Sequence, residues 1–314
     1  MLKKVKSLLS KKKVEPLTSD IYKEMTKSFD NAYSQYIKDP KVLDTLNKEE
    51  KQNILFGACR FSDVEAIDNL IKVKVSINAE TKYEECLLDF ACQPNVIECL
   101  LKHGADIEHK NLDRWTPLMV MLDYERIECA KCLVENKANI NLCIDGNTLF
   151  HLAAHSKNLS LNTFEYINSL KIDINAKNKA GYNALHLAII NNQNLNIIKY
   201  LVSLKIDVDA KTDSLKDAKT KTEIGGLTAL HFAISKFDSN ITSCLIESGA
   251  NINAQSDGGD TPLHGAASNN HKEMCKLLLM KGASPHIENK MGLYPVAVVP
   301  TYKPDCKRYM ERFT

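Results

Sequence analysis

Thr261-Pro-Leu-His-Gly-Ala-Ala267 is the stretch on which the fold turns, because near copies of it recur along the chain. They are Thr228-Ala-Leu-His-Phe-Ala233, Asn183-Ala-Leu-His-Leu-Ala188, Thr148-Leu-Phe-His-Leu-Ala-Ala154 and Thr116-Pro-Leu-Met119, with weaker copies starting at Cys86, Asn53 and Tyr294. The starts at 53, 86, 116, 148, 183, 228, 261 and 294 are 33, 30, 32, 35, 45, 33 and 33 residues apart. A fixed period of this size sets the architecture before any local reading does. About twenty residues after each start a second landmark recurs: His103-Gly-Ala-Asp-Ile107, Asn136-Lys-Ala-Asn-Ile-Asn141, Ser248-Gly-Ala-Asn-Ile-Asn253 and Lys281-Gly-Ala-Ser284.

The chemistry of one copy reads directly. The Thr261 hydroxyl is placed to cap a helix whose first position is Pro262, where proline gives up no useful donor and its fixed φ suits the turn. Thr116-Pro117 repeats the device, and Asn183 is another good cap. Small apolar residues follow and let this first helix pack closely. The apolar positions of Met274-Cys-Lys-Leu-Leu-Leu279 mark a second helix, with Gly282 where a left-handed backbone ends it. Gly146, Gly181, Gly226, Gly259 and Gly292 each stand two residues before a motif and mark a turn that projects between units. Such a unit buries its apolar face only against the next one, so stability is a sum over neighbours and the ends need cover.

This pattern, from residue 53 to about 300, resembles the ankyrin repeat, with its Thr-Pro-Leu-His turn and Gly-Ala-Asp-Val-Asn ending. The resemblance implies an all-α ankyrin-repeat solenoid of about eight helix-turn-helix repeats with projecting turns. It also implies that the recurring His151, His186, His231 and His264 hydrogen-bond backbone groups within and between repeats. The expected organisation is a basic N-terminal tail at 1–17, an N-terminal helical cap at 18–50, the repeat domain at 51–300 and a C-terminal cap at 301–314. Ile21, Met25, Phe29, Tyr33 and Ile37 recur every four residues and predict one amphipathic cap helix, stopped at Asp39-Pro40, with a second around Val42 to Leu46. Asn47 and Glu50 form a capping box that opens the first repeat. Cys86 and Tyr294 are weak caps.

Composition excludes more than it selects. Hydrophobic residues at 44% and charged residues at 25% suffice for a continuous core, and the net charge of +2 gives no global pull toward nucleic acid. Without 18 consecutive apolar residues or a signal-peptide core, a cytoplasmic protein is expected. Leu2, Val5, Leu8 and Leu9 among six lysines of residues 1–13 offer a local membrane contact, although a solvated tail accounts for them too. The ten cysteines are irregularly spaced. In the repeat register Cys129 and Cys132, the one CxxC, fall on the buried face of a second helix, and Cys99 and Cys244 occupy the same kind of position. Cys59 and Cys92 stand where the motif takes its second alanine. They read as packing residues, and no metal, cofactor or catalytic set is expected.

The residues that the repeat leaves unexplained are the candidates for binding. The resemblance implies partner contacts through the projecting turns and the exposed face of the first helix. In this register those positions hold Tyr83, Asp113, Arg114, Trp115, Asp123, Tyr124, His155 and Tyr182. Trp, Tyr and Arg are the residue types that most often carry interface energy. A Lys-rich insertion of about twelve residues between Asp213 and Gly226 enlarges one projecting turn. The resemblance also implies hydroxylation of an asparagine at the end of the second landmark, at Asn141, Asn175 and Asn253. The expected function is non-enzymatic: a monomeric scaffold binding another protein. Its Lys-, Asn- and Ile-rich character resembles host-directed ankyrin effectors of intracellular bacteria, which would make that partner a host protein. A membrane-surface tether using the Lys-rich start and a regulatory or inhibitory subunit of an enzyme are the alternatives.

Overall fold

The computed structural model describes residues 19–38, 41, 43, 45–156, 159–216, 223–300 and 304–313. The Lys-rich segment at 1–13, residues 42 and 44 of the second cap helix expected at 42–46 and the middle of the insertion lie outside the described residues. Contacts gather the chain into two compact units that meet in sequence between Ile144 and Asp145.

The first unit begins with α1 (Ser19–Lys38), which lies along α2 (Lys48–Phe61), the first helix of the first repeat. The four-residue spacing aims Phe29 and Tyr33 at the same neighbour, and both are buried. Phe29 stacks on Phe56 with centroids 4.8 Å apart and meets Phe90 edge-on at 5.6 Å. Helices come this close because residue 57 is glycine: a Cβ there would stand 2.5 Å from Tyr33 Cβ and 2.6 Å from the Phe29 carbonyl oxygen. Arg60 adds an ion pair to Asp30 at 2.8 Å. The capping box is formed, with Glu50 N–H donating to Asn47 Oδ1 at 3.0 Å and Asn47 N–H to Glu50 Oε2 at 2.8 Å. Next come α3 (Val64–Lys72), a 3₁₀ turn at Leu87–Phe90 with α4 (Pro94–Lys102), and α5 (Pro117–Asp123) with α6 (Ile127–Glu135).

The second unit repeats the arrangement in α7 (Leu149–His155) and α8 (Leu161–Ser169), α9 (Ala184–Ile190) and α10 (Leu195–Ser203), α11 (Ala229–Lys236) and α12 (Ser239–Glu247), and α13 (Pro262–Ser268) and α14 (Lys272–Met280). It closes with a 3₁₀ turn at Pro295–Val298 and α15 (Pro304–Met310). α9 is flanked by α7 on one side and α11 on the other, so all of it is buried; second helices bury one stripe, as in Ile197, Ile198 and Leu201 of α10. Each such Leu or Ile contributes about 1.5–3 kcal/mol on burial. α15 sets Cys306 and Met310 against Met274, Cys275 and Leu278, with the Cys306 thiol donating to Cys275 Sγ at 3.0 Å.

Behind Cys86 and behind Tyr294 the first helix is a single 3₁₀ turn. Thr116 departs from expectation differently: its α-helix forms, but its hydroxyl makes no cap bond. Within the insertion, β1 (Leu215–Lys216) pairs antiparallel with β2 (Glu223–Ile224), two strands of two residues each. Among the described residues no helix is long and apolar enough to cross a membrane.

Candidate protein-binding surface

The projecting turns are built from one recurrent polar side chain. Asn111 Oδ1 accepts from Asp113 N–H at 3.1 Å and Trp115 N–H at 2.9 Å, while Asn111 N–H donates to the Trp115 carbonyl at 3.1 Å. Asn178 does the same for Ala180 and Tyr182, and Asn289 for Met291 and Leu293. In the second repeat Thr81 Oγ1 takes this place, accepting from Tyr83 and Glu85 N–H. Each of these residues stands five positions before the cap, a periodic signal that was present in the sequence and went unread. Adjacent turns are then joined by main-chain bonds, Leu112 N–H to the Tyr83 carbonyl at 3.2 Å in the first unit and Asp213 N–H to the Ala180 carbonyl at 3.1 Å in the second.

Six of the eight candidates fall in the first unit. Tyr83 is half-buried, with the Lys82 ammonium 5.1 Å from its ring centroid. Trp115 and Asp113 are also half-buried, and burial pushes the Asp113 carboxyl above its ordinary range. Arg114 is exposed and holds φ +64° where most repeats carry glycine. Asp123 ends α5, and Tyr124 after it is 47% exposed with the Arg126 guanidinium 5.1 Å from its ring centroid. Leu112, which sequence reasoning passed over, is 46% exposed at the tip between Tyr83 and Arg114. The Asn111 turn and its bond to Tyr83 therefore present Tyr83, Leu112 and Arg114 on adjoining turns of a rigid scaffold.

The other two candidates lie in the second unit and differ from each other. His155 is exposed at the end of α7, 3.3 Å from the Asn191 amide. Tyr182 is a correction: only 3% of it is exposed. Its ring packs within 5.8 Å of both His186 and Phe232, and its carbonyl accepts from His151 Nε2 at 2.8 Å, so it is a core residue and no surface contact.

The motif histidines behave as the resemblance implies. Nδ1 of His151, His231 and His264 accepts the backbone N–H of its own cap residue at 3.1–3.2 Å, and Nε2 reaches a carbonyl of the next repeat at 2.8–3.1 Å. His186 makes the first bond, and its Nε2 faces the backbone of Ala210 and Leu227 without a well-aligned hydrogen bond. Burial lowers His151 and drives His186 down to about 3 and His231 to about 4, so these three rings stay neutral. Cys59, Cys99, Cys129 and Cys132 are buried, and burial raises each thiol above its ordinary range; Cys92 and Cys244 are half-buried. Of the three asparagines considered for hydroxylation, Asn141 is exposed. Asn175 Oδ1 accepts from Asp207 N–H at 2.7 Å and Asn253 Oδ1 from Ser284 N–H at 2.8 Å, each bond spanning two repeats.

Turns, paired helices and buried histidines in this order define an ankyrin-repeat protein. A family model of ankyrin repeats (3 copies) matches residues 88–178 and 212–289, and one of ankyrin repeats (many copies) matches 160–202; the chain belongs to this family, whose repeats are protein–protein interaction modules. It is 32% identical over 213 residues to the nuclear factor NF-kappa-B p105 subunit of Gallus gallus, covering 64% of this chain and 20% of that protein. To Rabankyrin-5 of Mus musculus it is 43% identical over 82 residues, 25% of this chain and 7% of that one. The chain thus spans a fifth or less of the length of these relatives. Among solved structures it is similar to the ankyrin repeat domain of Bcl-3, with a TM-score of 0.44 and 19% identity over 82% of this chain and 97% of that chain.

Proposed function

We propose that this chain is a non-enzymatic binding module that engages a partner protein through the projecting turns of its second and third repeats. The observation that carries the proposal is the set Tyr83, Leu112 and Arg114 on two hydrogen-bonded turns, with Tyr124 exposed at the end of α5. Leu112 and Tyr124 keep nearly half of their surface in water, whereas most apolar residues of the paired helices are buried, Phe61 and Met280 at helix ends excepted. Aromatic and Arg side chains held on a rigid frame lose little freedom on binding, so the contact keeps most of its energy. Asn111 supplies that rigidity by fixing the turn before any partner arrives.

The host-directed reading, in which the partner belongs to an infected cell, rests on composition. Hydroxylation at Asn175 or Asn253 would require local opening, since each amide oxygen holds the following repeat. The test is crosslinking with mass spectrometry in cell lysate, comparing the wild-type chain with a Leu112→Glu, Tyr124→Ala double variant whose helicity and melting are unchanged. Loss of crosslinks at residues 83–124 is expected. Crosslinks that persist there at full yield would remove this surface from consideration.

A further inference from the structure

Second helices of adjacent repeats bring together three side chains of metal-ligating type. Asp68 lies on α3 of the first repeat; Cys99 lies on α4 of the second, and His103 caps the end of that helix. Residues four apart share a helix face, so Cys99 and His103 point the same way, toward the neighbouring helix that carries Asp68. Asp68 Oδ1 accepts from His103 Nε2 at 2.7 Å and from the Cys99 thiol at 3.5 Å. All three ligand atoms lie within 4.8 Å of one another.

We propose that Asp68, Cys99 and His103 form a binding site for a borderline-soft divalent metal ion, Zn²⁺ by preference. The donor set is one thiolate sulfur, one imidazole nitrogen and one carboxylate oxygen, the mixture that suits zinc and disfavours the all-oxygen ions magnesium and calcium. Bond lengths of about 2.0–2.3 Å give a tetrahedral cage with edges of about 3.3–3.8 Å. The Asp68 to Cys99 separation already matches that edge, and the Asp68 to His103 contact has to open by about half an ångström, within reach of a side-chain rotation.

The immediate surroundings fit a half-open site. The Cys99 residue is 8% exposed, whereas the side chains of His103 and Asp68 are 28% and 42% exposed, which leaves the outer vertex to water. Lys72, one turn beyond Asp68, directs its ammonium to Asn69 Oδ1 at 3.5 Å and lowers the charge density available to a dication. The proton ledger is simple. On binding, the thiol releases one proton to solvent, the imidazole moves its proton from Nε2 to Nδ1, and the carboxylate exchanges two hydrogen bonds for one metal bond. With both cross-repeat hydrogen bonds replaced by coordination, the ion would pin the first repeat to the second.

The full-length chain, stripped with chelator and kept reduced, is titrated with Zn²⁺ against a chromophoric chelator at pH 7.5 and 6.5, and separately with Co²⁺. One equivalent of Zn²⁺ is expected, bound about tenfold more weakly at the lower pH because one proton is displaced. Cobalt should give thiolate-to-metal absorption in the near ultraviolet together with tetrahedral visible bands. Cys99→Ser and Cys99→Ala abolish the near-ultraviolet absorption, and Asp68→Asn and His103→Gln weaken Zn²⁺ at least tenfold. Each variant is checked for wild-type circular dichroism without metal, and Cys99→Ala preserves packing where serine does not. Zn²⁺ bound undiminished in all four variants would place the ion elsewhere and overturn the proposal. So would a folded wild-type chain that binds no Zn²⁺ at 100 µM free ion, about 5.5 kcal/mol by the affinity relation.

Discussion

The Tyr33 hydroxyl donates to Asp63 Oδ2 at 2.6 Å, and Oδ1 of the same carboxylate accepts from Ala66 N–H at 2.9 Å. One side chain thus ties α1 to the turn of the first repeat and caps α3. Burial and the carboxylate push the Tyr33 phenol up, so it stays a donor at any ordinary pH. Tyr33→Phe is expected to cost about 1 kcal/mol for the lost hydrogen bond. Gly57→Ala is expected to cost about 1–3 kcal/mol, because the new methyl meets Tyr33 Cβ and the Phe29 backbone. Urea unfolding checks both, with amide exchange accelerated in α1 and α2. Wild-type midpoints in both variants would show that α1 contributes nothing to the first unit.

Asp89 occupies the motif position that holds histidine in four later repeats, and it is 4% exposed. Oδ2 accepts from Cys86 N–H at 2.9 Å, while Oδ1 has no partner. Burial, reinforced by Glu85, raises the carboxyl to about 7. The folded chain therefore keeps a proton that the unfolded chain loses near pH 4, and stability of the first unit falls as pH rises from about 4 to about 7. Asp89→Asn is expected to remove that slope and to stabilise by about 1–3 kcal/mol at pH 8, with little effect at pH 4. Unfolding curves at the two pH values decide it; equal effects at both would mean that the proton is not held in the fold.

The buried histidines give the second unit the opposite slope. His186 and His231 are neutral when folded, held down to about 3 and 4, but bind protons near 6.5 once unfolded. Protons then favour the unfolded state, so stability of this unit falls as pH drops from about 6.5 to about 4. Amide exchange corrected for intrinsic rates should show α9 and α11 losing protection between pH 7 and pH 5 while the 3₁₀ turn at Asp89 does not. Parallel changes in both units would refute the assignment of the slopes.

Arg114 is held at φ +64°, and Gly146, Gly181, Gly226, Gly259 and Gly292 hold positive φ at the same place in their repeats. Arg114→Gly is expected to raise stability by about 0.5–1 kcal/mol by relieving left-handed strain, less the entropy that glycine adds to the unfolded chain. The same change should weaken partner binding, so the two measurements move in opposite directions. A loss of stability would show that the Arg114 contacts outweigh its backbone strain.

Much of this protein was readable because its rules are local. A cap and the residue three positions later lie one turn apart, so Asn47 with Glu50, and Thr261 with His264, had to meet once a helix began between them. The repeat period likewise determined that Cys129 and Cys132 face inward and that the motif histidines belong to the turns. Only the tertiary structure decided what stands opposite a given residue one or more repeats away. Tyr182 looked like a surface residue and is buried, its ring packed beside His186 and beside Phe232, fifty positions on and past the insertion. Asp68 meets Cys99 and His103 because two second helices lie side by side, and no short window of sequence contains all three. The difference is physical: backbone hydrogen bonding and capping act over three or four residues, whereas burial and coordination depend on which side chains packing brings together across the repeats.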